Sequence, residues 1–119
     1  MFQEVRDTLP ISGNDYDAQI IREIKACALD LTTSAEIVLP GVISITQGIS
    51  GSITDNSTIT DELIITVISI WCNMRIGNPP NYDQLLKAYN SLKGQLRMSK
   101  KYTNYEDREE EPEKEATTE

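Results

Sequence analysis

The sequence predicts a mainly α-helical fold: a small bundle of about four helices, with a long irregular or β-hairpin-like loop at 33–59 and a disordered acidic C-terminal tail. Two observations predict the helices. Apolar residues recur at helical spacing in 15–32 and 82–98, and a nearly continuous apolar segment, 63–71, follows a helix-start signal. The loop is predicted because 33–59 is rich in serine, threonine and glycine. A length of 119 residues suits one domain with one modest core.

The first two elements are a short amphipathic segment, 2–9, and a longer amphipathic helix. Residues 10–14 form a turn by composition, and either Asn14 or Asp15 is expected to cap the helix, which runs to about Thr32. One stripe of this helix is expected to be buried and consists of Ile20, Ile24, Cys27, Ala28 and Leu31. The opposite face carries Arg22, Glu23, Ala26 and Asp30.

The loop at 33–59 has two interpretations. Alternation around Ile43, Ser44 and Ile45 is typical of a strand, so an irregular hairpin that covers the core is one of them. The other is an arm that contacts a neighbouring subunit or another protein, which we favour because exposed apolar arms require a cover. The candidate interface residues are Ile43, Ile45, Ile49 and Ile53.

The next predicted helix is central. Thr60 is expected to cap it, and Asp61 and Glu62 place negative charge in its first turn, where the helix dipole favours it. The residues that follow are apolar on nearly every face, which predicts burial on several sides. Isoleucine and valine have low helix propensity, so a buried strand competes with this prediction. The cap, with polar breaks at Thr66 and Ser69, favours the helix.

A helix–helix elbow is predicted within WCNMRIGNPPNYDQ, residues 71–84. A glycine stops the first helix, two prolines turn the chain, and Asn81 with Gln84 forms a capping box for a helix over Tyr82 to about Met98. The short linker makes the two helices antiparallel neighbours. The predicted core and elbow residues are Trp71, Cys72, Gly77, Pro79, Pro80, Leu85, Tyr89 and Leu92.

Charge divides the chain into a body, 1–105, and a tail, 106–119. The tail carries eight acidic and two basic residues, and so supplies −6 of the formal charge of −8. Its lack of large apolar residues predicts disorder, either as a solubilising extension or as a segment that docks on a basic partner. The sign reverses just before the tail, where the basic patch Lys93, Arg97, Lys100 and Lys101 is flanked by Tyr102 and Tyr105.

Catalytic, metal and cofactor chemistry are not expected. The chain has no histidine, and its two cysteines lack the spacing of a metal or redox motif. Cys72 with Met74 would be only two soft ligands, so burial in the core is the better interpretation of Cys72. The longest apolar run has ten residues, about half of a membrane span, and we expect a soluble, intracellular protein without a signal peptide.

Sequence-specific DNA binding is a weaker alternative. Short helices joined by a tight turn occur in helix-turn-helix regulators, and Lys87, Lys93 and Arg97 could touch phosphates. A recognition helix normally presents an exposed set of base-reading side chains on a basic domain. Here the body is slightly acidic, and one face of the candidate helix, 82–98, is occupied by leucines. No set of base-reading side chains is therefore evident.

The order of elements carries a resemblance. DYDAQIIREIKACALDL is followed by a variable loop, then by TDELIITVISIWCNMRIG and NPPNYDQLLKAYNSLKGQLRMSKKY. An apolar helix thus ends in an aromatic-bearing turn with Gly, Asn and Pro, and the next helix closes on Leu96 to Tyr102. In this pattern the chain resembles the tailed-phage head–tail connector, or adaptor, family over about 15–105, outside the loop.

The resemblance implies a structural virion protein. It implies a ring of about twelve copies under the portal that extends the channel for genomic DNA and docks the next neck, stopper or tail-completion protein. DNA would pass without sequence-specific binding, and the protein would occupy the host cytoplasm during assembly and the virion neck afterwards. Contact with the portal is assigned to Arg97, Ser99, Lys100, Lys101, Tyr102 and Tyr105. Another neck or head-completion protein is the closest alternative.

Overall fold

The computed structural model describes residues 1–11, 13–77 and 79–103, and it confirms the mainly α-helical fold. In this part of the chain five helices accompany one two-stranded antiparallel hairpin. The elements are α1 (Phe2–Asp7), α2 (Asp17–Thr33), β1 (Ile45–Gln47), β2 (Ile53–Asp55), α3 (Glu62–Arg75), α4 (Tyr82–Met98) and α5 (Lys100–Thr103). The predicted disorder of 106–119 concerns residues outside those that the structure describes.

Helix α3 is the centre of the fold. It packs against α1, α2 and α4, and Ile64, Val67, Ile68 and Cys72 on it are completely buried. The central helix was predicted against a competing strand, and the structure confirms it. Burial on several sides outweighs the low helix propensity of its β-branched residues, because propensity differences are only about 0.5 kcal/mol per residue.

The predicted cap residue is right at α4, where Asn81 occupies the N-cap position, wrong at α2 and shifted by one residue at α3. Asp61, not Thr60, caps α3: its Oδ1 accepts hydrogen bonds from the amides of Leu63 (2.9 Å) and Ile64 (3.1 Å). Asp61 has the extended backbone that capping requires, with φ −65° and ψ 119°. Tyr16 and Asn81 precede α2 and α4 with ψ of 3° and 32°, and neither side chain caps its helix.

The elbow between α3 and α4 has the predicted glycine stop and chain reversal, without the predicted side-chain cap. Gly77 adopts φ +83°, a left-handed conformation that suits glycine, and the chain reverses before α4 begins. The ring of Tyr89 on α4 lies 5.2 Å from the ring of Trp71 near the end of α3. At the other end of the pair, α5 returns to the first turn of α3. The two helices are therefore antiparallel neighbours.

The loop at 33–59 contains a regular hairpin. Ile45 pairs with Asp55 and Gln47 with Ile53, and backbone hydrogen bonds extend the same register from Val42–Thr58 to Gly48–Ser52. Ile45 is buried in the core, which corrects its assignment to a free interface. Its side chain lies on the inward face of β1, and β1 packs on α2. Ile43 and Ile53 are partly buried against the same core.

Candidate functional site

The hairpin tip, residues 48–52, presents one apolar side chain to solvent. The tip is closed by hydrogen bonds from the Gly48 amide to the Ser52 carbonyl (2.8 Å) and from the Gly51 amide to the Gly48 carbonyl (2.9 Å). Ile49 lies between them with its side chain fully exposed. Of the four predicted interface isoleucines, Ile49 is thus the one that the fold leaves entirely free for a partner.

A carboxylate fixes the root of the hairpin. Asp55 Oδ2 accepts hydrogen bonds from the Met1 ammonium (2.8 Å) and from the Phe2 amide (2.7 Å), and its Oδ1 accepts one from the Ser57 amide (3.0 Å). Burial alone would raise the pKa of Asp55, but these hydrogen bonds outweigh it and hold that pKa well below its usual range. Asp55 therefore ties the hairpin to the start of α1.

We expect Asp55→Asn to lower the free energy of unfolding by about 1–2 kcal/mol at pH 7. The folded-state pKa of Asp55 is depressed, so its contribution is present above the unfolded-state pKa of about 4 and is lost as the pH falls toward the folded-state value. The difference between variant and parent should therefore narrow below about pH 4. This difference in the free energy of unfolding is measured by urea denaturation, monitored by circular dichroism, at pH values between 7 and 2.5.

The matched control is Asp15→Asn, which removes an exposed carboxylate and should change stability by less than about 0.5 kcal/mol at every pH. A difference between Asp55→Asn and the parent that stays constant down to pH 2.5 would contradict the proposed role of the ionised carboxylate.

The C-terminal segment, residues 97–103, has an exposed basic side and a buried side. Arg97, Lys100 and Lys101 are exposed, as is Met98 between them. Ser99 ends α4, and its carbonyl accepts hydrogen bonds from the amides of Tyr102 and Thr103 (both 3.1 Å). Of the six predicted contact residues, Tyr105 lies outside the described residues.

Tyr102 belongs to the buried side, which corrects its assignment to an exposed contact. Its ring is only 6% exposed, and its hydroxyl donates a hydrogen bond to Asp61 Oδ2 (2.9 Å). Its carbonyl accepts one from the Val38 amide (2.6 Å). Burial and the bond to Asp61 raise the pKa of the Tyr102 hydroxyl. Tyr102 therefore holds α5 against the fold.

Asp61 joins the start of α3 to α5. One of its oxygens caps α3, while the other binds Tyr102 and lies 3.3 Å from Lys101 Nζ. Burial would raise the pKa of Asp61, but these hydrogen bonds and the lysine charge lower it. The sequence by itself predicts only a favourable charge of Asp61 at the helix start. The partner lies 41 residues away, and no local pattern indicates such a contact.

A polar cluster joins α2 to α4, although the sequence places its α2 residues on the face opposite the buried stripe. Asp30 Oδ2 accepts hydrogen bonds from the Tyr89 hydroxyl (2.6 Å) and from Lys93 Nζ (3.0 Å). Glu23 Oε1 likewise accepts one from Trp71 Nε1 (2.9 Å). Burial would raise the pKa of Asp30, but the bonds from Tyr89 and Lys93 lower it. Lys93 therefore contributes to the contact between α2 and α4. It is not part of the exposed basic side of the C-terminal segment.

Both cysteines are completely buried thiols. Burial raises the pKa of Cys27 to about 12 and that of Cys72 further above its usual range, so neither forms the reactive thiolate at neutral pH. Within 1–11, 13–77 and 79–103, no three histidine, cysteine, aspartate or glutamate side chains are grouped so that they could hold a metal ion. Cys72 is part of the core beneath the elbow.

The chain matches no protein-family model, and no curated protein or solved structure is significantly similar to it. Among the helices of the described segments, none is both long and apolar enough to cross a membrane. A functional proposal for this chain therefore depends on the geometry of its exposed segments and on the sequence resemblance. Two surfaces come from that geometry: the hairpin tip and the basic side of the C-terminal segment.

Proposed function

We propose that this protein is a structural subunit of a phage neck, a head–tail connector that forms a ring under the portal. The ring extends the channel for genomic DNA and docks the next neck, stopper or tail-completion protein. The resemblance over 15–105 supports the family. One structural observation supports the mode of action: a hairpin with a fixed root holds a fully exposed isoleucine, Ile49, away from the helical body.

Self-association is the first step of the proposed mechanism. A ring requires a head-to-tail interface between unlike surfaces of identical copies, and an exposed apolar residue on a fixed turn suits such an interface. The anchor at Asp55 reduces the ordering cost of binding, because the root of the hairpin is already fixed in the free chain. About twelve copies would close the ring, as the resemblance implies.

Contact with the portal is the second step, and we assign it to the exposed side of the C-terminal segment. Arg97, Lys100 and Lys101 form its charged part and Met98 its apolar part. Arginine and methionine are enriched in protein interfaces, and the basic residues would steer the segment toward an acidic surface of the portal. Ser99 and Tyr102 then act indirectly, by fixing the segment on the body.

DNA would pass through the ring without being bound tightly. The chain has a formal charge of −8, and few phosphate contacts can form on an acidic protein. The helix-turn-helix alternative depended on Lys87, Lys93 and Arg97, and Lys93 is paired with Asp30 and stacked 5.3 Å from the Tyr89 ring centre. The pairing of Lys93 with Asp30 leaves this lysine less available for phosphate contacts, and this favours the connector over the regulator. The proposed locations are the virion neck and, during assembly, the host cytoplasm.

A charge-reversal experiment tests the portal contact. We expect the double variant Arg97→Glu/Lys100→Glu to weaken binding to the portal protein of the same genome by at least about tenfold, because two favourable charges become repulsive. Binding is measured by pull-down and by titration at fixed ionic strength. The fold should persist, since both side chains are exposed. Truncation after Met98 is a poorer test, because it also removes Tyr102 from the core.

The matched control is Lys25→Glu/Lys87→Glu, which makes the same change in net charge at two exposed positions outside the C-terminal segment. It should bind the portal like the parent. Equal binding by both double variants would overturn the assignment of the portal contact to this segment. Binding of the parent to a DNA duplex but not to the portal would instead support a regulator.

A further inference from the structure

A groove on the helical body is the surface that the proposed function leaves unexplained. It lies between α1, α3 and α4, and its volume is about 280 Å³. Ile65, Ile70 and Leu85 supply its apolar lining, and Glu4, Thr8 and Thr66 contribute to its polar lining. Asn73 also lines it and donates a hydrogen bond to the Thr8 hydroxyl (3.0 Å). An apolar depression with polar margins suits an apolar side chain carried on a backbone segment.

A buried hydroxyl, that of Ser69, lines this groove. Ser69 lines the groove and is 6% exposed, and its Oγ makes no hydrogen bond within the described residues. A buried hydroxyl left unsatisfied costs about 1–3 kcal/mol, so native proteins rarely retain one without a reason. Ser69 lies in the groove lining together with Ile65 and Ile70. The groove therefore combines an apolar lining with a buried hydroxyl that has no partner among the described residues.

The hairpin tip of the same chain is separated from this groove by α1. Glu4 of α1 and Thr8 directly after it line the groove, whereas Gln3 and Arg6 line a different cavity together with Gly51 and Ile53 of the hairpin. Residues three or four apart share one face of a helix, so these two pairs mark two different faces of α1. Asp55 fixes the hairpin root on its own side. A tip that enters the groove must therefore come from another molecule.

We infer that the groove receives the hairpin tip of a second copy of this chain. Ile49 is an exposed apolar side chain on a turn of small residues, and the groove offers an apolar lining on the same chain. Seating the Ile49 side chain against Ile65, Ile70 and Leu85 would cover the apolar lining of the groove. Tip and groove are unlike surfaces, so the contact is head-to-tail and propagates from copy to copy. This inference deepens the proposed ring and rests on that proposal.

Cross-linking between two differently substituted copies tests the contact. One protein carries Ile49→Cys at the tip, and the other, labelled with ¹⁵N, carries Thr66→Cys at the exposed rim of the groove. Both native cysteines are buried, so a short bismaleimide should couple only the introduced thiols. We expect the mixed-isotope dimer that joins Ile49→Cys to Thr66→Cys, identified by mass and by peptide mapping, to form at least about tenfold faster than a control dimer.

The control pairs Ile49→Cys with ¹⁵N-labelled Leu29→Cys, because Leu29 is an exposed apolar residue on α2 that lines neither the groove nor the tip. Equal rates for the two pairs would overturn the inference and would leave the groove to a different partner or a small apolar ligand. A second measurement uses unlinked protein: Ile49→Asp should lower self-association in sedimentation, while Leu29→Asp should not. Equal self-association by both variants would also overturn it.

No portal protein is present in these experiments, so the two proposals fail separately. Cross-linking at the control rate together with portal binding would place the contact between copies elsewhere and preserve the connector function. Rapid cross-linking between tip and groove without portal binding would preserve the inference and remove the connector function.

Discussion

Replacing Tyr102 by alanine is expected to lower the free energy of unfolding by about 3–4 kcal/mol. The substitution empties a buried ring site and removes the hydrogen bond to Asp61. It also weakens the docking of α5, whose backbone holds the Val38 amide. Urea denaturation monitored by circular dichroism measures the loss, which would be a large fraction of the stability of a domain of this size.

The control for this prediction separates the ring from its hydroxyl. Tyr102→Phe keeps the ring and should cost only about 1–2 kcal/mol, from the lost bond to a carboxylate. Asp61→Asn retains an oxygen that can cap α3 but removes the charge that faces Lys101. A cost below about 1 kcal/mol for Tyr102→Ala would show that α5 is not packed on the body in solution.

Replacing Tyr89 by alanine is expected to cost about 3–5 kcal/mol, the largest loss among our predictions. Tyr89 is 2% exposed, its ring packs on Trp71, and its hydroxyl lies between Asp30 (2.6 Å) and Cys27 (3.9 Å). Its loss would leave a cavity between α2, α3 and α4 and would remove one of the two hydrogen bonds that Asp30 accepts from α4. The same denaturation experiment measures the effect.

A second tyrosine on the same helix provides the matched control. Tyr82 is 42% exposed at the start of α4, and Tyr82→Ala should change stability by less than about 0.5–1 kcal/mol. Tyr89→Phe keeps the ring and should cost about 1–2 kcal/mol, since Lys93 remains as a partner for Asp30. Similar losses for Tyr82→Ala and Tyr89→Ala would contradict a structural role for the cluster of Asp30, Tyr89 and Lys93.

These two buried tyrosines fix the body from which the exposed segments extend. Tyr89 joins α2 to α4, and Tyr102 joins the C-terminal segment to α3. The basic side of the C-terminal segment and the hairpin tip thus extend from a body with fixed anchors. Binding through such segments loses less conformational freedom than binding through segments that must first become ordered.

Local sequence was sufficient for the positions of the main helices. The apolar spacing predicted α2 and α4, and a glycine with φ +83° at position 77 ended α3 as expected. These features depend on residues within one or two helical turns of each other, or on the backbone preference of a single residue. The alternation around Ile43 and Ile45 indicated strand structure, and a hairpin was one of two interpretations of 33–59; its register became evident only with both strands in place.

Contacts between distant residues were decided only by the tertiary structure. Asp30 and Glu23 were predicted to lie on a face away from the core, yet they bind Tyr89 and Trp71, which follow 59 and 48 residues later. Ile45 and Tyr102 looked like interface residues because both are apolar or aromatic, and the fold buries them. Periodicity in a sequence states which face of an element is apolar. Which partner covers that face depends on long-range packing, and packing is not encoded in neighbouring residues.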